Sequence, residues 1–222
     1  MINYLYIECN VRKTVDFDDT KPHILTKNAK NKDFVRHDTT EIGRKQRNQV
    51  NDMQKTAIVI NGAGGVGKDT LCALAARHFR VRNISSVTPI KEVAALCGWD
   101  GAKDDRSRKF LSDLKRLTAD YNDFPTRWAA ARYREFLDSP DEDILFVHIR
   151  EPEEIRKFVE ATGGAARTLL VRGGSRFVKS SYGNVSDDGV ENYTYDYYYV
   201  NEKTLPEAEE EFCALLTAMA RA

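Results

Sequence analysis

The chain has 222 residues, enough for one medium α/β domain with an appendage. Its 34 Lys and Arg balance its 34 Asp and Glu, so no net field draws it toward nucleic acid or an anionic membrane, and an anion site must come from local placement of cations. No run approaches the roughly 18 apolar residues of a membrane span, the N-terminus has no basic-then-apolar leader, and the four cysteines (Cys9, Cys72, Cys97 and Cys213) are too scattered for a zinc or disulfide framework. The expectation is a protein of the reducing cytoplasm with neither a nucleic-acid nor a membrane partner.

Residues 1–52 open with a strand-like stretch at Tyr4 to Ile7. They continue with no apolar face at helix or strand spacing, which predicts a flexible or weakly ordered extension. Residues 53–222 read as one domain. An apolar run, Ala57-Ile58-Val59-Ile60, leads into glycines and then a helix from Lys68 to about Phe79. A short strand is expected from Ile84 to Val87. Helices follow from Pro89 to Cys97, from about Asp104 to Tyr121 and from Thr126 to Leu137. Ile144 to Ile149 reads as a buried strand. The next helix opens at Pro152, with Glu151, Glu153 and Glu154 where the positive end of the helix dipole favours them, and stops near Gly163-Gly164. Strands at Thr168 to Val171 and Tyr195 to Val200 precede a last helix, Leu205 to Ala220. This alternation predicts a three-layer α/β fold with a five-stranded parallel sheet and helices on both faces. The tyrosines at 193, 195, 197, 198 and 199 fit strand packing at period two.

The first strand ends in Gly62-Ala63-Gly64-Gly65-Val66-Gly67-Lys68-Asp69-Thr70. This fits G-x-x-x-x-G-K in the context of strand, loop and helix, the signature of a P-loop. Glycines let the backbone wrap an oxyanion with several N–H groups pointing inward, and the helix after Lys68 turns its positive end to the phosphates. Lys68 adds a point charge for the β- and γ-phosphates. A ligand-free glycine turn would have no need of that lysine. Gly62, Gly64 and Gly67 also satisfy a dinucleotide-binding G-x-G-x-x-G. That loop calls for an acidic residue about 20 positions on, and residues 81–90 hold none. ATP is therefore the expected ligand. Asp69 stands where Ser or Thr usually binds Mg²⁺, with Thr70 next. A carboxylate is a hard oxygen donor, so Asp69 is the expected metal ligand, with Mg²⁺ as the metal.

Several segments resemble, in order, the nucleoside-monophosphate-kinase-like P-loop family. Within that family the loop resembles those of two related groups, the phage-type deoxynucleoside monophosphate kinases and the animal-type phosphomevalonate kinases. The segments are the G-x-x-x-x-G-K-D loop, Pro89-Ile90-Lys91-Glu92, the basic stretch Asp105 to Asp123, the strand Phe146 to Arg150, and Asp196 to Asn201. The likeness spans about residues 56 to 220. It implies a helical substrate-binding insertion, a lid over about 172–190, and an Asn201 near the adenine. It also implies an ATP-dependent phosphotransferase with a phosphate group as acceptor. A (deoxy)nucleoside monophosphate comes first as that small acceptor and phosphomevalonate second. In one place the chain departs from the pattern: His148 replaces the acid expected at the end of the third strand, which leaves Asp69, or Glu151 nearby, to hold the metal.

Phosphoryl transfer between two phosphorylated partners needs cations at donor, acceptor and between them. Lys91 and Arg150 follow strand ends, where ligands of open α/β sheets bind. Arg106, Lys109 and Arg116 lie on the candidate acceptor helix. Arg172 and Arg176 lie in the candidate lid, as contacts for donor phosphates. Lys68, Arg150 and Arg172 are the expected catalytic cations. Trp128 and Tyr133 suit core packing better than an acceptor pocket. Two readings of another class stay open. One is a P-loop ATPase or nucleotide-dependent regulator, which would hydrolyse ATP without an acceptor. The other is a nucleotide binder without turnover, which His148 leaves possible.

Overall fold

A computed structural model describes residues 54–174 and 189–222. The expectations for residues 1–52, for most of the lid and for Arg176 lie outside the described residues.

Strand β1 (Thr56–Asn61) is buried at every position, as a central strand covered on both faces must be. It is flanked by β3 (Ile144–His148) and β4 (Arg167–Gly173), with β2 (Val81–Ser85) and β5 (Tyr197–Asn201) at the edges. The five strands run in the order β2-β3-β1-β4-β5, every pair parallel. The helices are α1 (Lys68–Ala75), α2 (Thr88–Leu96), α3 (Asp105–Asn122), α4 (Phe124–Asp138), α5 (Pro152–Ala161) and α6 (Leu205–Met219). Successive side chains of β1 point to opposite faces of the sheet. Ile58 and Ile60 join Leu71 of α1 and Phe212 and Leu216 of α6 in one apolar cluster. Ala57 and Val59 join Phe136 of α4 and Ile155 and Phe158 of α5 in the other. The result is the expected three-layer α/β fold.

The element boundaries differ from the sequence reading in two informative places. β2 pairs with β3 from Val81 to Ser85 instead of starting at Ile84. It is a half-buried edge strand, so Arg82 and Asn83 are tolerated in it and mask its apolar pattern. Helix α1 stops at Ala75, four residues short of the expected end, and the chain turns back toward the sheet. Beneath this turn, Asp143 accepts from the backbone N–H of Arg80 at 2.9 Å and from its guanidinium at 3.0 and 2.5 Å, which locks the start of β2 to the start of β3. No described helix is long and apolar enough to cross a membrane.

Candidate nucleotide-binding site

The loop between β1 and α1 leaves the C-terminal edge of the central strand, with strands on both sides of it. Two glycines are required by the backbone. Gly62 has φ 147°, and a Cβ there would lie 2.2 Å from the carbonyl oxygen of Val171 in β4. Gly67 has φ 90°, and its Cβ would meet the side-chain amide of Asn201 at 2.5 Å. Both permit close approach of neighbouring strands that a side chain would block. The Asn201 amide instead donates to the carbonyl of Val66 at 2.9 Å, so the end of β5 is clipped to the loop.

Lys68 opens α1 and curls over the loop, its ammonium donating to the carbonyls of Gly62 at 2.5 Å and Ala63 at 2.9 Å. The cation therefore stands over the ring of backbone that would surround an oxyanion. Asp69 and Thr70 follow on the exposed first turn of the helix.

Asn61 was not singled out by sequence reading, yet it organises the site. It is fully buried. Its Oδ1 accepts from the N–H of Gly62 at 2.8 Å, while its Nδ2 donates to the carbonyl of Arg150 at 3.1 Å and to the hydroxyl of Tyr195 at 2.7 Å. That hydroxyl passes a hydrogen bond on to the carbonyl of Val190 at 2.8 Å. The available signal was a polar residue closing an apolar strand, since a buried amide must find partners. Its partners lie 89 and 134 positions away, which no local pattern reveals.

His148 ends β3 beside the loop, and its Nε2 lies 2.7 Å from Oδ1 of Asn83. Because that oxygen can only accept, the ring carries its proton on Nε2. Burial pushes the imidazole below the usual histidine range; the Asp69 carboxylate opposes this, and the charges of Lys68 and Arg150 add to it. His148 is thus a neutral side chain within the field of Lys68, Asp69 and Arg150. Cys72, one turn along α1, is pushed up to about 12 by burial and by Asp69, so it is an inert thiol.

Glu151 is engaged by a cation of the protein itself. Lys115 of α3 reaches Glu151 at 2.6 Å and Glu154 at 2.7 Å, which fastens the middle of α3 to the start of α5. Burial raises the Glu154 carboxyl, an effect that Lys115 only partly offsets. Burial opposes the ionisation of Glu151, but the Lys115 charge and the hydrogen bonds from Lys115 and Glu154 together outweigh it and hold the carboxyl below the usual range.

The remaining predicted cations fall into three groups. Arg150 is exposed directly after β3, where its backbone is held by Asn61. Lys91 and Arg106 are exposed on α2 and α3. Lys109 and Arg116 are exposed on α3 beside Asp113, with Lys109 at 2.6 Å and Arg116 at 3.6 Å from it. Arg172 forms an ion pair with Glu191 at 2.6 Å and stacks over the ring of Tyr198 at 4.8 Å, so its guanidinium is engaged at the β4–β5 edge.

The donor set suits Mg²⁺ bound together with phosphates. Among the described residues no three His, Cys, Asp or Glu side chains gather as a self-sufficient cage. Mg²⁺ at phosphate sites commonly uses one or two carboxylates and takes its other ligands from phosphate and water. Asp69, beside the loop that would hold those phosphates, meets that requirement.

No protein-family model matches the chain, and no curated protein matches it. Among solved structures it is similar to a tunicamycin resistance protein of Deinococcus radiodurans, with 12% identity and a TM-score of 0.48 over 73% of this chain and 96% of that one. It is also similar to a gluconokinase of Sinorhizobium meliloti, with 15% identity and a TM-score of 0.45 over 76% and 95%. An APS kinase of Mycobacterium tuberculosis in complex with AMPPNP and APS has 12% identity and a TM-score of 0.36 over 74% and 98%. At such identities and scores likeness does not decide function; what the site can do follows from its own geometry.

Proposed function

We propose that this protein is a Mg²⁺-dependent kinase that moves the γ-phosphoryl group of ATP onto the phosphate of a small acceptor, with a (deoxy)nucleoside monophosphate as the first candidate. The observation that carries this reading is the loop from Gly62 to Lys68, which combines backbone N–H groups at a helix start with an ammonium held over them.

In this reading the loop amides and Lys68 bind the donor phosphates, and Lys68 exchanges two carbonyl contacts for phosphate oxygens. Asp69 holds Mg²⁺, which supplies charge neutralisation at the phosphates. Asn201 keeps the loop closed from the β5 side. Arg150 meets charge developing between donor and acceptor, and Lys91 and Arg106 steer the acceptor. Bringing two anionic groups together is the main electrostatic obstacle, and fixed cations lower it without reorganisation at the moment of reaction. An acceptor phosphate is already an anion, so no general base is needed. The state of His148, neutral with its proton committed to Asn83, is compatible with that.

The test is an assay for ADP with ATP and Mg²⁺ against a panel of nucleoside monophosphates, phosphomevalonate and dephospho-coenzyme A. ADP that appears only with a phosphorylated acceptor supports the kinase. ADP without any acceptor replaces it with an ATPase. No ADP under any condition overturns the catalytic reading.

A further inference from the structure

Helix α3 is the longest described helix, at 18 residues, and none of them is fully buried. Phe110, Leu114, Leu117 and Tyr121 recur along it at steps of four, three and four, the spacing of a coiled-coil seam. Three of the four members of this row face solvent: Phe110 is 36% exposed, Leu117 65% and Tyr121 84%. Leu96, on the neighbouring helix α2, is 89% exposed. The side of α3 that holds it to the protein is a different one. Lys115 anchors it to Glu151 and Glu154, and at about 100° per residue the apolar row lies roughly a third of a turn away. A row of large apolar side chains left in water at seam spacing marks an interaction surface.

The pattern of charge indicates what covers it. On the side of the seam away from Lys115 runs a second row, Lys109, Asp113, Arg116 and Asp120, alternating in sign. Reversing this row about its centre, between residues 114 and 115, sets Lys109 against Asp120 and Asp113 against Arg116. Reversing the apolar row about its own centre, between 115 and 116, sets Phe110 against Tyr121 and Leu114 against Leu117. The two centres differ by one residue, about 1.5 Å along the helix. One two-fold axis across the middle of α3 therefore satisfies both rows, whereas a parallel copy would set the charged row against the opposite flank of the seam, toward Lys115, where it finds no matching row. Self-complementarity under a two-fold axis is the property of an isologous dimer interface.

We infer that a second copy of this chain docks antiparallel on α3 through the row Phe110, Leu114, Leu117 and Tyr121, with the flanking charges setting the register. The helix is only about 27 Å long, so four seam positions make a contact that depends on concentration. The charges contribute mainly orientation, because exposed ion pairs stabilise little.

The test is sedimentation equilibrium of the full chain over a dilution series, which reads association and no activity, so its outcome is independent of the kinase reading. The wild type should dimerise with a Kd on the order of 10 µM. Leu117→Lys should remain a monomer over the series. Lys109→Glu with Arg116→Glu makes the charged row wholly acidic and should weaken association by about tenfold or more. Adding Asp113→Lys and Asp120→Lys restores alternation in the opposite sense and should restore the dimer. All these positions are on the surface, so thermal melts of the variants should stay close to wild type. A wild type that is monomeric throughout overturns the inference, and so does a dimer indifferent to both Leu117→Lys and the charge changes.

Discussion

The side-chain amide of Asn201 donates to the carbonyl of Val66 at 2.9 Å, and so joins the last strand of the sheet to the loop that follows the first. The same amide leaves no room for a Cβ on Gly67, which would approach it to 2.5 Å. Loop shape is thereby set from outside the loop. Asn201→Ala should weaken ATP binding about fivefold, the worth of roughly one hydrogen bond of about 1 kcal/mol. Gly67→Ala should be more damaging, because its φ of 90° is strained for any side chain. Calorimetric titration with ATP checks both, and an Asn201→Ala protein that binds like wild type would show that the loop holds its shape alone.

Lys68→Ala should lower turnover by about 10²-fold or more, the scale for losing a fixed charge contact at a transferring phosphoryl group. The melting temperature should hardly move, since the side chain is half-exposed and its ammonium caps carbonyls of the loop, outside the apolar core. Normal turnover in this variant would remove the loop from the mechanism.

His148 and Asp69 make a paired prediction about Mg²⁺. With a neutral imidazole at the end of β3, the nearby carboxylate on the loop side is Asp69. Asp69→Asn keeps the shape and removes the charge, and should raise the Mg²⁺ needed for half-maximal turnover by about tenfold. ATP binding without metal should change far less. His148→Asp should shift the Mg²⁺ requirement the other way. A Mg²⁺ titration of the three proteins decides it: an Asp69→Asn curve that overlays wild type assigns Asp69 to the helix start alone.

Asp143 supplies a test of stability against pH. Burial opposes its ionisation, but the N–H and guanidinium of Arg80 outweigh that and hold the carboxyl below the usual aspartate range. A depressed folded value contributes stability that is present above the unfolded value, about 3.9, and is lost as pH falls through the folded one. Asp143→Asn should cost about 2 kcal/mol at neutral pH and much less in acid. Denaturant melts at pH 7 and near pH 3 should therefore converge, with the wild type losing more on acidification. Curves that stay parallel would show that the pair contributes no pH-dependent stability.

The strand, the glycine loop and the start of the helix at Lys68 were legible from the residues alone, though not the helix end at Ala75, because their causes are local: an apolar run, positions that need positive φ, and a helix opened by Lys68 and Asp69. The parallel α/β architecture was legible for a similar reason, since alternating short apolar runs and amphipathic stretches leave few ways to bury both. The start of β2 was not legible, because pairing with β3 and half-burial at the sheet edge permit Arg82 and Asn83 inside a strand. Side-chain direction was not legible either. Arg172 is expected just after a strand as a candidate for donor phosphates, but it lies within β4 paired with Val200, and Glu191 and Tyr198, brought alongside by the β4–β5 pairing, hold its guanidinium. Glu151 stood next to the candidate metal site in sequence, and only the packing of both α3 and α5 on α4 put Lys115 on it. Asn61 became the centre of the site through partners from three separate segments. Periodicity and backbone preference act between neighbours in the chain and can be read from it. Hydrogen bonds and ion pairs act between neighbours in space, and those are set only once the sheet order is formed.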